Sequence, residues 1–267
     1  MSTLTAPADT AQTLALDVRD LTVHYGRSSR RKPVPPAVDG VSFSIAPGET
    51  IGLVGESGSG KSTIGKAVLG LQSATGGSIS FFGDDITHAA PARRRALAAQ
   101  LRVVFQDPYS SLNPAMTIGE TLAEPLRLMG VGKAEAARRA RTALERVGLP
   151  PSAAERRPRQ FSGGQRQRIA VARALVCDPK VVVCDEPVSA LDLSTQAQVL
   201  NLLADLRDER GLSYLFVAHD LAVVRFLAQR VVVLYRGQVM ETGAAAAVVE
   251  HPRHPYTRAL TCLLYTS

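Results

Sequence analysis

The sequence predicts an α/β fold interrupted once by a mostly helical stretch, and three observations carry that prediction. The apolar run Ile51 to Val54 reads as a buried strand, Gly55 to Ser62 as a glycine-rich turn, and Ile64 to Leu71 as a helix with apolar residues at Ile64, Val68, Leu69 and Leu71. Further apolar runs at Val181–Cys184, Tyr214–Ala218 and Val231–Tyr235 read as strands of the same sheet. Between them, from Asp107 to about Ala170, strand signals vanish and helices are predicted over Ile118–Met129, Ala134–Val147 and from Ser162 onward.

The remaining elements follow in order. Leu14 to Tyr25 alternates as a strand through Leu16, Val18, Leu21 and Val23, and Gly26 to Pro36 is an Arg-, Ser- and Pro-rich surface loop. Val38 to Ile45 is a second strand, closed by a turn at Pro47-Gly48. Thr75-Gly76-Gly77 turns into a strand at Ser78–Phe82, and a short strand at Val103–Phe105 ends at Gln106. A marked helix follows Val181–Cys184, with Ser194 as its N-cap, Val199, Leu202, Leu203 and Leu206 as its buried stripe, and Gly211 closing it. No element is evident from His251-Pro252 to Ser267, and the chain has no internal repeat.

At 267 residues the chain can bury a sizeable core, as one large α/β domain or one with an inserted lobe. Its 45% hydrophobic content argues against disorder, and no apolar run reaches the ~18 residues of a membrane span. Residues 1–13 read as a disordered leader, because Met1 to Gln12 lacks the basic and apolar regions of a signal peptide. Cys177, Cys184 and Cys262 have no metal-ligand spacing, as expected of a cytosolic protein. The net charge of +7 is spread over short arginine clusters such as Arg93-Arg94-Arg95 and Arg138-Arg139, without interleaved aromatics. That pattern favours solvated faces and a membrane-side partner over nucleic acid.

The chemistry centres on Gly55, Glu56, Ser57, Gly58, Ser59, Gly60, Lys61, Ser62 and Thr63, which match G-x-x-x-x-G-K-[ST] between a strand and a helix. Such a loop cradles phosphates with its backbone N–H groups and the helix N-terminus. Lys61 would reach the β- and γ-phosphates, and the Ser62 hydroxyl would ligate Mg²⁺. A parallel strand Val181–Cys184 next to the loop strand would bring Asp185 to the same ion, and Glu186 to where it deprotonates an attacking water. Ser162-Gly163-Gly164-Gln165 opens a helix as a second anion surface. One nucleotide seldom needs two such surfaces from one chain, so a dimer is expected in which this one closes over the partner's nucleotide. Ser189 to Asp192 follows as a loop beside the acids, and His219 ends a strand at the ligand-binding edge.

Together these stretches resemble the ATP-binding subunits of ABC transporters over about residues 14–260. Gly55 to Ser62 resembles the Walker A loop, and Val181 to Glu186 the Walker B strand with its catalytic Glu. Ser162 to Gln165 resembles the signature, with Phe161 where Leu is usual. Gln106 resembles the Q-loop glutamine, a contact of Mg²⁺ and water; Ser189 to Asp192 the D-loop; and His219 the switch histidine. Tyr25 sits where the family stacks an aromatic on adenine. The resemblance implies a P-loop NTPase core of the RecA-like kind with an antiparallel β subdomain (14–106 and 171–250) and an inserted helical subdomain (107–170).

Gln106 to Pro114 and His254 to Leu260 are similar to the oligopeptide/dipeptide importer branch, which includes nickel and glutathione importers. Members usually continue past the His-Pro-Tyr stretch, so residues 251–267 read as a truncated extension. The resemblance implies ATP and Mg²⁺ as ligands and a second ATP-binding subunit, the same or related. It also implies two permease subunits, a solute-binding protein indirectly, and a peripheral place on the cytoplasmic face of the inner membrane. Tyr109 and Leu112, in the polar run after Gln106, are then expected to face a groove for a permease helix. The alternative, a soluble ABC-type ATPase acting on nucleic acid, would need a long coiled coil between Lys61 and Ser162; that interval shows no sustained heptads.

Overall fold

A computed structural model of the chain describes residues 13–26, 34–107 and 111–264. Most of the expected leader, much of the 26–36 loop, and Tyr109 lie outside the described residues. The chain runs β1 (Leu16–Val23), β2 (Val38–Ile45), β3 (Thr50–Val54), α1 (Lys61–Leu69), β4 (Gly76–Phe81), β5 (Asp84–Asp85), α2 (Pro91–Leu97) and β6 (Leu101–Val104). It then turns helical through α3 (Ile118–Leu128), α4 (Lys133–Arg146) and α5 (Gly163–Leu175). The order closes with β7 (Val181–Asp185), α6 (Leu193–Arg210), β8 (Ser213–Ala218), α7 (Leu221–Leu227), β9 (Arg230–Tyr235), β10 (Gln238–Ala244), α8 (Ala245–Glu250) and α9 (Pro255–Leu264).

Two sheets organise these elements. The larger has the order β10-β9-β3-β8-β7-β6, parallel except for β10. Its inner strands are near-continuous apolar runs because both faces are covered. Successive residues alternate between two cores. Val181, Val183, Leu215 and Val217 face α1 and the smaller sheet, whereas Val182, Cys184, Tyr214 and Phe216 join the helical side. The smaller sheet, β2-β1-β4-β5, is antiparallel, and its side chains pack over Ile64 and Val68 of α1. α5 runs unbroken through residue 170, and Leu122, Leu144, Ile169 and Phe216 belong to one continuous core. The helical lobe is therefore welded to the sheet rather than hung from it.

Several details differ from the sequence expectations. β7 is not the neighbour of the loop strand: β8 lies between them. Strand order is set by long-range pairing, which a local pattern does not carry. α6 is capped by Asp192, not Ser194, because the Asp192 carboxylate accepts from the Thr195 N–H at 2.9 Å. Its stripe uses Leu200 in place of Leu202. α1 stops at Leu69, where Gly70 takes a left-handed conformation, leaving Leu71 exposed. The tail contains α9: Thr257, Leu260 and Thr261 are buried at helical spacing, and Pro255 sits in the first turn, where its missing N–H costs nothing. Leu112, expected at a groove, is 2% exposed and packs in the main core with Ile118 and Leu122. Burying a leucine stabilises by about 2 kcal/mol, more than a turn-rich loop gains by leaving it in water.

Candidate functional site

The C-terminal ends of β3, β6, β7 and β8 converge on one cleft. β3 delivers the glycine loop, β7 delivers Asp185 and Glu186, β8 delivers His219, and Gln106 follows β6 by two residues. The cleft holds about 530 Å³ and is lined by Tyr25, Lys61, Ser62, Gln106, Glu186 and His219, together with the loop at Ser57, Gly58 and Gly60. This is the edge at which parallel α/β sheets bind ligands.

The loop is braced from outside. A Cβ on Gly55 would lie 2.1 Å from the Leu234 carbonyl oxygen of β9, so only glycine fits. The Gly237 N–H donates to the Ser59 carbonyl at 3.0 Å, tying the β9–β10 turn to the loop. The Lys61 ammonium donates to the carbonyls of Gly55 (2.6 Å) and Glu56 (2.7 Å) and is 4% exposed. Burial lowers its pKa below the usual lysine value, against Glu186, Asp185 and Glu56, which favour the charged form. No side chain caps α1 behind Gly60, so its first-turn N–H groups remain available to an anion.

Beside the loop, the Ser62 hydroxyl donates to Asp185 Oδ1 at 2.9 Å, although β7 and β3 are not adjacent. The α1 helix crosses over β8 and closes the gap. Gln106 Nε2 donates to Glu186 Oε2 at 3.3 Å, and His219 Nδ1 lies 3.6 Å from the same oxygen. Glu186 stands at φ 47°, a left-handed conformation that costs a non-glycine residue about 1–3 kcal/mol. Its N–H donates to the Val217 carbonyl, and its own carbonyl accepts from the Ser189 hydroxyl, which holds it there. The Tyr25 hydroxyl lies 3.1 Å from Thr63 Oγ1, with the residue 47% exposed at the cleft mouth.

These groups suit a nucleoside triphosphate: an anion cradle, a lysine held on two backbone carbonyls, and a carboxylate facing the same cleft. Among the described residues no cluster of three or more His, Cys, Asp or Glu could hold a metal. The Ser62 hydroxyl and the Asp185 carboxylate, 2.9 Å apart, are oxygen donors of the kind that suits a Mg²⁺ accompanying phosphates.

The structure does not bring Ser162, Gly163, Gly164, Gln165 or Asp192 into that cleft; they form a second cluster. Ser162 Oγ accepts from the Gln165 N–H, and Gln165 Oε1 accepts from the Ser162 N–H, closing a capping box on α5. A Cβ on Gly164 would lie 2.2 Å from Thr195 Cγ2, so α5 and α6 touch backbone to side chain there. Asp192 gives both carboxylate oxygens to Thr195, at 2.9 and 2.7 Å, and these bonds hold its pKa below the usual carboxylate range. Sequence reasoning missed the bracing by Leu234 and Gly237. It also missed a contact from Tyr256 to the Glu56 N–H (3.2 Å), for which the His-Pro-Tyr stretch was a signal without a role.

Comparison with known proteins bears on this geometry. The ABC transporter family matches residues 38–189. A putative peptide import ATP-binding protein of Brucella ovis is 52% identical over 250 residues, 93% of this chain and 78% of the relative. The glutathione import ATP-binding protein GsiA of Shigella flexneri is 54% identical over 226 residues, 84% of this chain but 36% of GsiA. Among solved structures, cbiO1 of Clostridium perfringens, part of the ABC transporter complex cbiONQ, superposes with a TM-score of 0.80 at 26% identity, covering 90% of this chain and 92% of cbiO1. A dimeric ATP-binding cassette in a post-hydrolysis state with ADP and Pi gives 0.76 at 29% identity, covering 86% and 98%.

Proposed function

Because the chain belongs to the ABC transporter family and carries its ATPase domain, we propose that it powers import of peptides or a related small solute by ATP-driven closure of two such subunits. The observation that supports this most is the cleft itself: Lys61, Ser62, Asp185, Glu186, Gln106 and His219 meet there from four strand ends. Lys61 and the loop hold the triphosphate, and Ser62 and Asp185 would hold a Mg²⁺ ion, which would supply charge neutralisation to the phosphates. Glu186 takes a proton from the attacking water, with Gln106 and His219 fixing its carboxylate. Tyr25 meets the base. Gln106 joins this cleft to the helical lobe.

Ser162 to Gln165 and the adjoining turn at Asp192 face the nucleotide of the second subunit, identical or related. ATP binding shifts the pair toward closure because only the closed state offers both surfaces. Solute reaches the complex through an extracytoplasmic binding protein, and the subunit itself sits on the cytoplasmic face of the inner membrane. Among the described residues no helix is long and apolar enough to cross a membrane. No observation favours the alternative of an ATPase acting on nucleic acid.

The permease grip lies not at Leu112 but at a cavity of about 280 Å³ lined by Leu71, Leu97, Arg102, Phe105, Ser111 and Arg173. Phe105, next to Gln106, is exposed there. Cysteine at position 105 should cross-link to a permease cytoplasmic loop, with a yield that changes on adding ATP. Absence of any cross-link, with full transport retained in Phe105→Ala, would remove this face from the grip.

A further inference from the structure

α9 reaches the phosphate loop from outside the sheet. It is fastened at its start: the Glu241 carboxylate of β10 accepts from the N–H groups of Arg253 (2.9 Å) and His254 (3.0 Å). The Tyr256 N–H donates to His254 Nδ1 at 3.2 Å, and Thr257 and Leu260 are buried behind it. These contacts set the Tyr256 ring against Tyr235, centroids 4.6 Å apart, at the end of the strand that braces Gly55. The phenol oxygen then accepts from the Glu56 N–H at 3.2 Å.

That N–H belongs to the Gly55–Glu56 peptide, whose carbonyl accepts from Lys61 Nζ at 2.6 Å on the opposite side. The peptide is planar and trans, so its two ends move as one. Tyr256 and Lys61 hold one plate from its two edges. We infer that Tyr256 is a positioning residue for nucleotide binding: by fixing the tilt of the Gly55–Glu56 peptide it sets where the Lys61 ammonium rests when the triphosphate arrives. This rests on the assignment of Lys61 to the phosphates made above. Glu56 is exposed, so without the phenol water takes over its N–H and the peptide is free to rock. The loss is that of one net hydrogen bond, about 2- to 10-fold in affinity.

The test uses the full chain and MgATP. Tyr256→Phe keeps the ring against Tyr235 and removes only the acceptor. It should raise the MgATP dissociation constant, and the KM of the assembled complex, about 2- to 10-fold, with kcat within about twofold and only a small drop in the thermal midpoint. Tyr256→Ala, which also loses the ring, should lower the midpoint as well. Wild-type affinity and KM in Tyr256→Phe, with loss only in Tyr256→Ala, would reduce Tyr256 to packing and overturn the inference. Lys61→Ala run alongside separates the two levels. If it abolishes MgATP binding while Tyr256→Phe does nothing, only the inference falls; if it binds MgATP normally, the assignment of the phosphate site falls with it.

Discussion

The cleft and the signature cluster use the same materials differently. Each is a glycine-rich segment opening a helix, yet α1 begins without a side-chain cap and α5 begins with a complete capping box. In the cleft, side chains from four strand ends point at one another, and Lys61 donates to the carbonyls of Gly55 and Glu56. In the signature cluster, Ser162, Gln165 and Asp192 bond to their own helix starts. The first region turns its polar side chains toward one another across an open cleft. The second is structurally satisfied and contributes a surface. A division of this kind suits a site shared between two copies, with chemistry on one side and a lid on the other.

The largest expected effect breaks the chemical side alone. Glu186→Gln keeps the shape, the hydrogen bond to Gln106 and the left-handed backbone, but removes the base. Steady-state turnover in the assembled complex should fall about 10²- to 10⁴-fold while MgATP affinity stays near wild type. Turnover at the wild-type rate would take the role away from Glu186.

The second test asks whether the two regions meet across subunits. Gly164 is a poor place to probe, because any side chain there strikes Thr195 and misfolding would imitate loss of function. Ser162→Arg blocks the surface instead. A dimer of one Lys61→Ala and one Ser162→Arg subunit collects both defects in one composite site and leaves the other intact. In an equal mixture, nucleotide occlusion per dimer should recover to roughly a quarter of the wild-type sites, although neither variant alone occludes any. A mixture as inactive as its parents would mean that both regions serve the nucleotide of their own chain.

Legibility in the sequence follows the same division. The phosphate loop and the acids at Asp185 and Glu186 are local patterns whose spacing is itself the chemistry, so they were readable. Their adjacency was not: β8 separates β7 from β3, and Ser62 meets Asp185 only because α1 spans the intervening strand. β5 and β10 were missed because edge strands such as Asp84–Asp85 and Gln238–Ala244 carry little apolar signal. Ser194 and Asp192 are both good N-caps by type, and only the position of the Thr195 N–H decides between them. Leu112, expected to line a groove because its neighbours are polar, is buried instead, since one leucine suffices to anchor a loop.

The smallest effect sharpens the comparison most finely, at Asp192. If its carboxylate serves only as a cap, Asp192→Ala should lower stability measurably, and Asp192→Asn, a cap of equal quality, should leave it nearly unchanged. Thermal or denaturant unfolding of the two variants measures this directly. ATPase activity of Asp192→Asn should then stay within about twofold of wild type, because the turn and the α6 start survive. The alternative outcome is equally readable. Unchanged stability with lost turnover in Asp192→Asn would show that the negative charge itself acts across the subunit boundary. The capping bonds to Thr195 would then be a resting arrangement, comparable to Lys61 on the loop carbonyls, and the two regions would be more alike than their hydrogen bonds suggest.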